Sequence, residues 1–300
     1  MSGAFFSTDA APAAPLVARR STATRVESVD GAALAALVPA WEALAAEAGE
    51  PNPFYEHWML LPALEAFAAG QDLRFIAVWI GGELCALFPF ERVARYKGLP
   101  ATTLKSYRHR HCMLCTPLVR AGRAAQCLEA LHGWLRTNGE SAALLQFECL
   151  VADGPFHRAL GAWLEATRQP ALVTDSYRRA LLRKEGDAEH YLAGALTRHV
   201  RQDLRRREKR LGESGKVTHP VLRPGDDLER WLDDLLQLEA GGWKGEAGSA
   251  LQCKAADRRF ATEIFGEAFR RGRLLMGGLD LHDGIQALRR GAAEHRGRHH

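Results

Sequence analysis

The feature that most constrains the fold of this chain is an order of sequence-predicted elements that occurs twice. In the first copy, a strand, a helix, a loop, a second helix and a strand run from Thr24 to the Gly81-Gly82 turn. From about Glu185 the same order recurs and ends at an Asp-Gly turn, Asp283-Gly284. Because self-similar order at a fixed offset, here about 200 residues, is typical of duplicated folds, the sequence predicts two related domains in tandem.

Capping residues and periodicity support the individual elements. AALAALVPAWEALAAEAG is predicted to be a helix that closes on Gly49, and Asn52 stands at a cap position before the next helix. LRFIAVWIGGELCALFPFERV has β-rich runs on either side of two glycines, which indicates a hairpin. Asp226 and Asp227 favour a helix start, since the helix dipole attracts carboxylates.

The remaining segments predict helices packed on a mixed sheet. Further strands are expected at TTLKSY, CMLCTPLV and SAALLQFECL, and two more within ALVTDSYRRALLR. Helices are expected at GRAAQCLEALHGWLRTNG and GPFHRALGAWLEATR, and one long helix at YLAGALTRHVRQDLRRREKRLGESG. This alternation is typical of an α/β fold (α+β, with a mixed sheet).

The second copy is expected to be incomplete. After Gly284 the sequence IQALRRGAAEHRGRHH has no alternating apolar residues, and a hairpin strand without its partner is unstable. We therefore expect a disordered leader over residues 1–23, a first domain over 24–184, a partial second domain over 185–284 and an atypical tail over 285–300.

Composition excludes several classes of protein. Lys and Arg exceed Asp and Glu by only 40 to 36, a net charge of +4, which does not require a nucleic acid or lipid partner. The six cysteines lack the spacing of a secreted scaffold, which indicates a reducing compartment. The N-terminus has no signal-peptide pattern and no segment has 18 uninterrupted apolar residues, so we expect a soluble cytoplasmic protein without a membrane span.

Four features together carry a resemblance to a known family. They are the two-copy order, NPFYEHW in the first copy, RQDLRRREKRL ahead of the second, and LEAGGWKGEAGSAL within it. In these the chain, from about Arg25 to Gly284, resembles the CelD-like acetyltransferases of the FemAB-like branch of the GNAT superfamily, in which two GNAT-type folds sit in tandem. The resemblance implies acyl transfer from acetyl-CoA or another acyl-CoA to an amine or hydroxyl, with no metal, sometimes in polysaccharide or cell-envelope biosynthesis.

A glycine-containing loop is the candidate site for the phosphates of CoA. VRAGRA, residues 119–124, follows a predicted strand and opens a predicted helix, as the phosphate loop of the GNAT family does. Gly122 lets backbone N–H groups approach a phosphate, and Arg120 and Arg123 supply charge. Val119 departs from the family pattern, which has Gln or Arg there, and an ordinary turn with solvated arginines is the alternative.

The second candidate phosphate site is the arginine-rich helix that is predicted between Leu196 and Leu211. Its apolar residues Leu196, Val200, Leu204 and Leu211 share one face, so the helix is expected to dock on a core and turn its cations outward. Arg201 and Arg205 are then either solvated or part of a cradle for CoA phosphates or an anionic glycan. Nucleic acid is not expected, because no aromatic residues alternate with the cations.

Glu239, Trp243 and Lys244 are the candidate acceptor-binding residues, in a loop between the two helices of the second copy. Trp243 either fills a gap between those helices or packs on the acceptor or on pantetheine. Lys244 either is simply exposed or meets an acidic acceptor.

HRHCMLC offers His109 or His111 as a general base, since an imidazole titrates near neutrality, and a purely structural histidine is the alternative. A metal site is not expected there, because a strand would put Cys112 on the side opposite His111 and Cys115.

Three functions remain open from sequence. They are a GNAT-like acyltransferase that acts on a small-molecule or glycan acceptor, a catalytically silent remnant or accessory protein, and a polyanion-binding module. Catalytic residues, the acceptor and the oligomeric state are not identified by the sequence.

Overall fold

The computed structural model describes residues 23–31, 33–137, 142–180, 186–283 and 286–289. The predicted leader over residues 1–23, apart from Ala23, and most of the predicted tail lie outside the described residues. The fold is mixed α/β, as expected. The chain divides into two compact units, one with residues up to 51, 74–106 and 116–163 and the other with 52–73, 107–115 and 164–300.

The first unit is built on a six-stranded mixed sheet in the order β1-β2-β3-β4-β6, with β5 also paired to β3. β1 pairs antiparallel with β2, β3 pairs antiparallel with both β4 and β5, and β4 pairs parallel with β6. The strands are β1 (Thr24–Val29), β2 (Leu73–Ile80), β3 (Glu83–Val93), β4 (Thr103–Ser106), β5 (Leu118–Val119) and β6 (Leu144–Gln146).

Three helices belong mainly to this unit: α1 (Val38–Ala46), α3 (Ala124–Thr137) and α4 (Pro155–Thr167), with a 3-10 turn at Ala33–Leu37. Gly81 and Gly82 both have positive φ, at 63° and 85°, which a type I′ hairpin turn requires, so the predicted hairpin is confirmed. The core packs Phe88 and Phe90 of β3 against Cys127 and Leu131 of α3 and against Phe156 of α4.

The second unit contains a three-stranded antiparallel sheet, β7-β8-β9, and the remaining helices. The strands are β7 (Lys216–Thr218), β8 (Asp280–Asp283) and β9 (Gln286–Arg289). The helices are α2 (His57–Phe67), α5 (Ala188–Ala195), α6 (Arg198–Glu213), α7 (Leu228–Ala240), α8 (Trp243–Glu246) and α9 (Ala255–Arg270), with 3-10 turns at Pro53–Tyr55 and Leu251–Cys253. None of the helices in the described ranges is long and apolar enough to cross a bilayer.

Two cap predictions are confirmed: Asp227 caps α7, and Asn52 caps the 3-10 turn Pro53–Tyr55 that precedes α2. The prediction that the first helix closes on Gly49 is wrong, because α1 ends at Ala46 with Glu47 as its C-cap. The Asn52 side chain accepts a hydrogen bond from the Phe54 N–H at 3.1 Å, and Asp227 accepts one from the Arg230 N–H at 3.2 Å, at the start of α7. In both places a short oxygen-bearing side chain satisfies an N–H group that has no intrahelical partner.

Several element predictions are wrong. Residues 112–117 of CMLCTPLV form no strand, and pairing begins only at Leu118, after Pro117, which has no N–H to donate. The described part of ALVTDSYRRALLR, residues 171–180, also has no strand. The single long helix is two helices, because Leu196 is extended and the Thr197 hydroxyl accepts from the Val200 N–H and starts α6 anew.

The expectation that the last hairpin lacks a partner is also wrong. β9 pairs with β8 from Asp280↔Arg289 to Asp283↔Gln286. Backbone hydrogen bonds form this strand although its sequence, QALR, does not alternate as a half-buried strand does. The predicted boundaries of the tandem domains stay predictions.

Candidate functional site

The sequence-predicted phosphate loop lies between β5 and α3. The Arg120 N–H donates to the Cys85 carbonyl at 2.8 Å and the Ala121 N–H donates to the Glu47 carbonyl at 2.9 Å, so the loop is fixed from two sides. Gly122 has φ 73°, a left-handed conformation that glycine adopts at little cost. The chain turns there directly into α3, whose first N–H groups lack intrahelical partners and carry the positive end of the helix dipole.

This loop borders a cavity of about 270 Å³. Arg120, Ala121 and Gly122 line it from the loop, and the first turns of α3 and α4 line it from two other sides. The complete lining is Gly49, Glu50, Pro117, Val119, Arg120, Ala121, Gly122, Ala124, Ala125, Pro155, Phe156 and Ala159. The start of α3 makes its side of the cavity favourable for an anion, whereas at the start of α4 the Phe156 N–H already donates to the Glu50 carboxylate.

The two arginines of the loop have different surroundings. The Arg120 side chain is mostly buried and forms an ion pair with Glu47, and its Nε atom is buried with no hydrogen-bond partner among the described residues. Arg123 is exposed and donates to the Gln126 side chain at 3.1 Å. Arg120 is therefore held in place by the protein, while Arg123 is accessible to a ligand.

Glu50 is a charged residue of the cavity that the sequence patterns did not single out. Its Oε2 accepts a hydrogen bond from the Phe156 N–H at 3.2 Å and so caps α4 from a distant part of the chain. Its Oε1 is buried without a hydrogen-bond partner among the described residues. A side-chain carbon at Gly154 would lie 2.8 Å from this oxygen, so glycine at position 154 leaves the space that the carboxylate occupies.

Arg201 and Arg205 lie on α6, in the second unit. No residue of α6 is buried, and the side chains of Val200 and Leu204 are 41% and 51% exposed. The expectation that this apolar face docks on a core is therefore wrong. Arg205 is exposed, whereas Arg201 is half-buried, and its Nε atom has no hydrogen-bond partner in the described parts of the chain.

Trp243 and Lys244 do not lie in a loop: they begin the short helix α8. The Trp243 side chain is 72% exposed, so it does not fill a gap between helices. Lys244 is bound rather than simply exposed, because its Nζ lies 2.5 Å from Glu239 Oε1, while Glu239 Oε2 accepts from the Leu251 N–H at 2.8 Å. Burial raises the pKa of Glu239, but the hydrogen bonds from Lys244 and Leu251 outweigh burial. The pKa of Glu239 therefore lies below its ordinary value.

A polar cluster in the second unit is centred on Asp257 of α9, which no sequence pattern singled out. Its buried carboxylate accepts from Arg110 Nε at 2.5 Å and from His111 Nε2 at 2.8 Å. Burial raises the pKa of Asp257, but the hydrogen bonds from His111 and Arg110 outweigh it, so the net pKa is lowered. The two donors come from positions 146 and 147 residues away in the chain, which explains why local patterns missed the cluster.

His109 belongs to an aromatic stack beside that cluster. Its ring lies 5.1 Å from the Phe67 ring, nearly parallel to it, and 5.3 Å from the Phe260 ring, nearly perpendicular to it. Burial, together with the neighbouring His111 and Arg110, lowers the pKa of His109 to about 4. A histidine that is neutral and stacked near pH 7 acts as a packing residue, whereas the partly exposed His111, hydrogen-bonded to a carboxylate, keeps the features of a general base.

The lowered pKa of His109 predicts a pH-dependent stability. Because the folded-state pKa is below that of an unfolded histidine, the native state binds fewer protons, and stability falls as pH drops from about 6.5 towards 4. From pH 7 to pH 5 we expect a loss of about 2 kcal/mol from this residue. Urea unfolding at both pH values should show a smaller loss in His109→Phe, which keeps an aromatic ring but does not titrate; an equal loss would assign the effect to other groups.

No group of three or more His, Cys, Asp or Glu side chains placed to hold a metal ion occurs in the described ranges. Cys112 and Cys115 have their sulfur atoms 3.8 Å apart and are both buried.

Comparison with protein families gives one match. Residues 198–297 match the model of the family described as acetyltransferase (GNAT) domain, which spans α6 to the C-terminal region. The match covers one third of the chain. A comparison with curated proteins gives no match.

Solved structures show only remote similarity. An integron cassette protein from the mobile metagenome of Vibrio cholerae is 13% identical with a TM-score of 0.33, and 57% of this chain covers 97% of it. A possible acetyltransferase from Clostridium difficile 630 is 10% identical with a TM-score of 0.34, and 53% of this chain covers 99% of it. Ribosomal-protein-alanine N-acetyltransferase from Brucella melitensis biovar Abortus 2308 is 17% identical with a TM-score of 0.30, and 53% of this chain covers all of it. TM-scores of this size carry no argument about fold or function.

Proposed function

We propose that this chain is an acyltransferase of the GNAT type that uses acyl-CoA as donor and an amine or hydroxyl as acceptor. The observation that carries the proposal is the cavity bordered by Arg120, Ala121 and Gly122 at the start of α3. The family match over residues 198–297 supports it independently, from another part of the chain. The CelD-like branch, a tandem arrangement, a role in polysaccharide or cell-envelope synthesis and a cytoplasmic location belong to the same proposal.

The loop has the groups that a pyrophosphate requires. Backbone N–H groups of the first turn of α3 donate to phosphate oxygens, and Gly122 leaves its side of the loop open, since a side-chain carbon there would meet nothing within 4 Å. Arg123 is free to turn from Gln126 to a phosphate, with which a guanidinium forms paired hydrogen bonds. Arg120, which is held by its ion pair with Glu47, lines the same cavity and adds positive charge near the phosphates.

The reaction itself asks little covalent chemistry of the protein. The acceptor nitrogen or oxygen attacks the thioester carbonyl, a bond from carbon to the acceptor forms, the carbon–sulfur bond breaks, and the acceptor's proton leaves as CoA departs as a thiol. Catalysis is then mainly orientation and proton removal. We propose Glu239, Trp243 and Lys244 as acceptor contacts, supported by the exposed ring of Trp243.

Binding of CoA by Arg123 is the direct test. In calorimetry with the full chain, we expect Arg123→Ala to raise the Kd of CoA by about threefold to tenfold, because a charge-assisted hydrogen bond is lost at a partly hydrated site. Arg136→Ala, at the opposite end of the same helix, is the matched control and should leave the Kd unchanged. Absence of CoA binding to the unmodified chain at millimolar concentration would overturn the acyltransferase proposal in favour of a catalytically silent or accessory protein.

A polyanion-binding role is the second candidate, and the exposure of α6 favours it. This helix carries Arg198, Arg201, Arg205, Arg206, Arg207, Lys209 and Arg210, with Asp203 paired to Arg206 and Arg207. Binding through these cations would fall steeply with salt. An anionic glycan that binds in the absence of CoA, and less tightly as salt rises, would support this second role.

A further inference from the structure

We propose that Glu50 is a ligand-binding residue of the cavity, where its carboxylate accepts a hydrogen bond from an N–H group of the acyl-CoA. This inference rests on the proposed function, because it names the part of the donor that Glu50 contacts. The two oxygens of this carboxylate differ in their hydrogen-bond partners. Oε2 accepts from the Phe156 N–H, while Oε1 is buried and has no partner among the described residues.

A carboxylate oxygen enclosed without a donor is costly, since burial removes its hydration and nothing replaces it. The carboxylate is nevertheless held in place, because Oε2 is fixed at the start of α4 and Gly154 leaves the space it fills. Glu50 lines the same cavity as the phosphate loop. A ligand that fills the cavity is therefore the natural source of the missing donor.

The charge of Glu50 decides which part of the ligand it meets. A phosphate would be repelled by a carboxylate, so the phosphates belong at the other side of the cavity, with Gly122, Arg123 and the start of α3. The group beside Glu50 must instead donate a hydrogen bond. Acyl-CoA offers two kinds of N–H donor, the amides of its pantetheine arm and the amino group of its adenine.

Two substitutions remove the carboxylate from its place in different ways. Glu50→Ala deletes it. Gly154→Ala keeps it but puts a carbon 2.8 Å from Oε1 and 2.9 Å from Oε2, so the flexible end of Glu50 must move. Gly161→Ala is the matched control, because it makes the same change within α4, where a side-chain carbon meets nothing within 4 Å.

The experiment is calorimetric titration of the full chain and each variant with CoA. We expect Glu50→Ala and Gly154→Ala to raise the Kd about tenfold or more, because a hydrogen bond to a charged acceptor is lost, and Gly161→Ala to leave it unchanged. Titration with phosphopantetheine and with adenosine 3′,5′-bisphosphate identifies the donor: the fragment whose affinity falls in Glu50→Ala carries the N–H group.

The outcomes separate this inference from the proposed function. If the unmodified chain does not bind CoA, both are overturned. If all variants bind CoA as tightly as the unmodified chain, Glu50 does not contribute to binding, and if Glu50→Ala binds CoA more tightly, Glu50 repels it. Either result overturns only the role of Glu50. Because Glu50→Ala and Gly154→Ala both disturb the cap of α4, Glu50→Gln separates the cap from a ligand contact: its amide oxygen can still accept from the Phe156 N–H, but its amide nitrogen cannot accept from a ligand. If Glu50→Gln binds CoA as tightly as the unmodified chain, the effect of the other two variants belongs to the cap and the inference also fails.

Discussion

Gly245→Ala is expected to destabilise the fold by at least about 3 kcal/mol, the upper part of the range for forced overpacking. A side-chain carbon at position 245 would lie 1.8 Å from the carbonyl oxygen of Ala240 and 2.6 Å from its carbonyl carbon. These are backbone atoms at the end of α7, so no side-chain rotation relieves the contact and α8 must separate from α7. The ion pair of Lys244 with Glu239 would be lost in the same movement.

Gly242→Ala is the control for this prediction. It makes the same change three residues earlier, where the new carbon would meet its nearest atom, the Glu239 carbonyl oxygen, at an ordinary 3.8 Å. Urea unfolding of both variants should show a large loss of stability for position 245 and a change within about 0.5 kcal/mol for position 242. Equal stability of the two variants would contradict the close packing of α8 on α7.

Asp257→Ala is expected to cost about 2–3 kcal/mol of unfolding free energy. The substitution leaves Arg110 and His111 without their shared acceptor in a partly buried place, beside the edge-to-face rings of Phe67 and Phe260. The expected cost is at the lower end for a broken buried pair, because the Arg110 side chain is 45% exposed and regains hydration.

The pH dependence gives this prediction its sign. The pKa of Asp257 is lowered in the folded state, so its contribution is complete above the ordinary carboxyl pKa and is lost as pH falls through the lowered value. The variant should therefore differ from the unmodified chain most at pH 7 and least in acid. Glu263→Ala, exposed on the same helix, serves as the control and should be nearly neutral. A gap between variant and unmodified chain that stays constant with pH would contradict an ionised Asp257.

Local patterns predicted those features whose causes are local. The Gly81-Gly82 hairpin follows from two residues that adopt positive φ, and the start of α7 follows from Asp227, whose side chain reaches an N–H group three residues on. The turn at Gly122 is also predictable from local sequence, because a glycine there stands between a predicted strand and a predicted helix, and the structure gives it a positive φ. In each case the residues that interact are neighbours in the chain.

Patterns failed where one signal had two meanings. An apolar stripe along α6 indicates a docked helix, but an exposed face has the same spacing, and the structure leaves Val200 and Leu204 exposed. The apolar residues of 112–117 resemble a strand, but Met113 is 48% exposed and the segment has no ladder pairing. The sequence of strand β9 does not alternate between apolar and polar residues, so its antiparallel pairing with β8 is visible only in the structure.

By itself, the sequence determined the fold class, most of the helices, the hairpin and the position of the phosphate-loop candidate. Periodicity, capping and turn chemistry act over a few residues and are therefore visible in the order of the amino acids. Only the tertiary structure decided that Glu50 reaches α4 and that Asp257 holds Arg110 and His111, across 106, 147 and 146 residues of chain. A buried charge needs a hydrogen-bond partner, and tertiary packing decides which residue lies close enough to be that partner. Local sequence patterns do not show this residue, because it is distant along the chain.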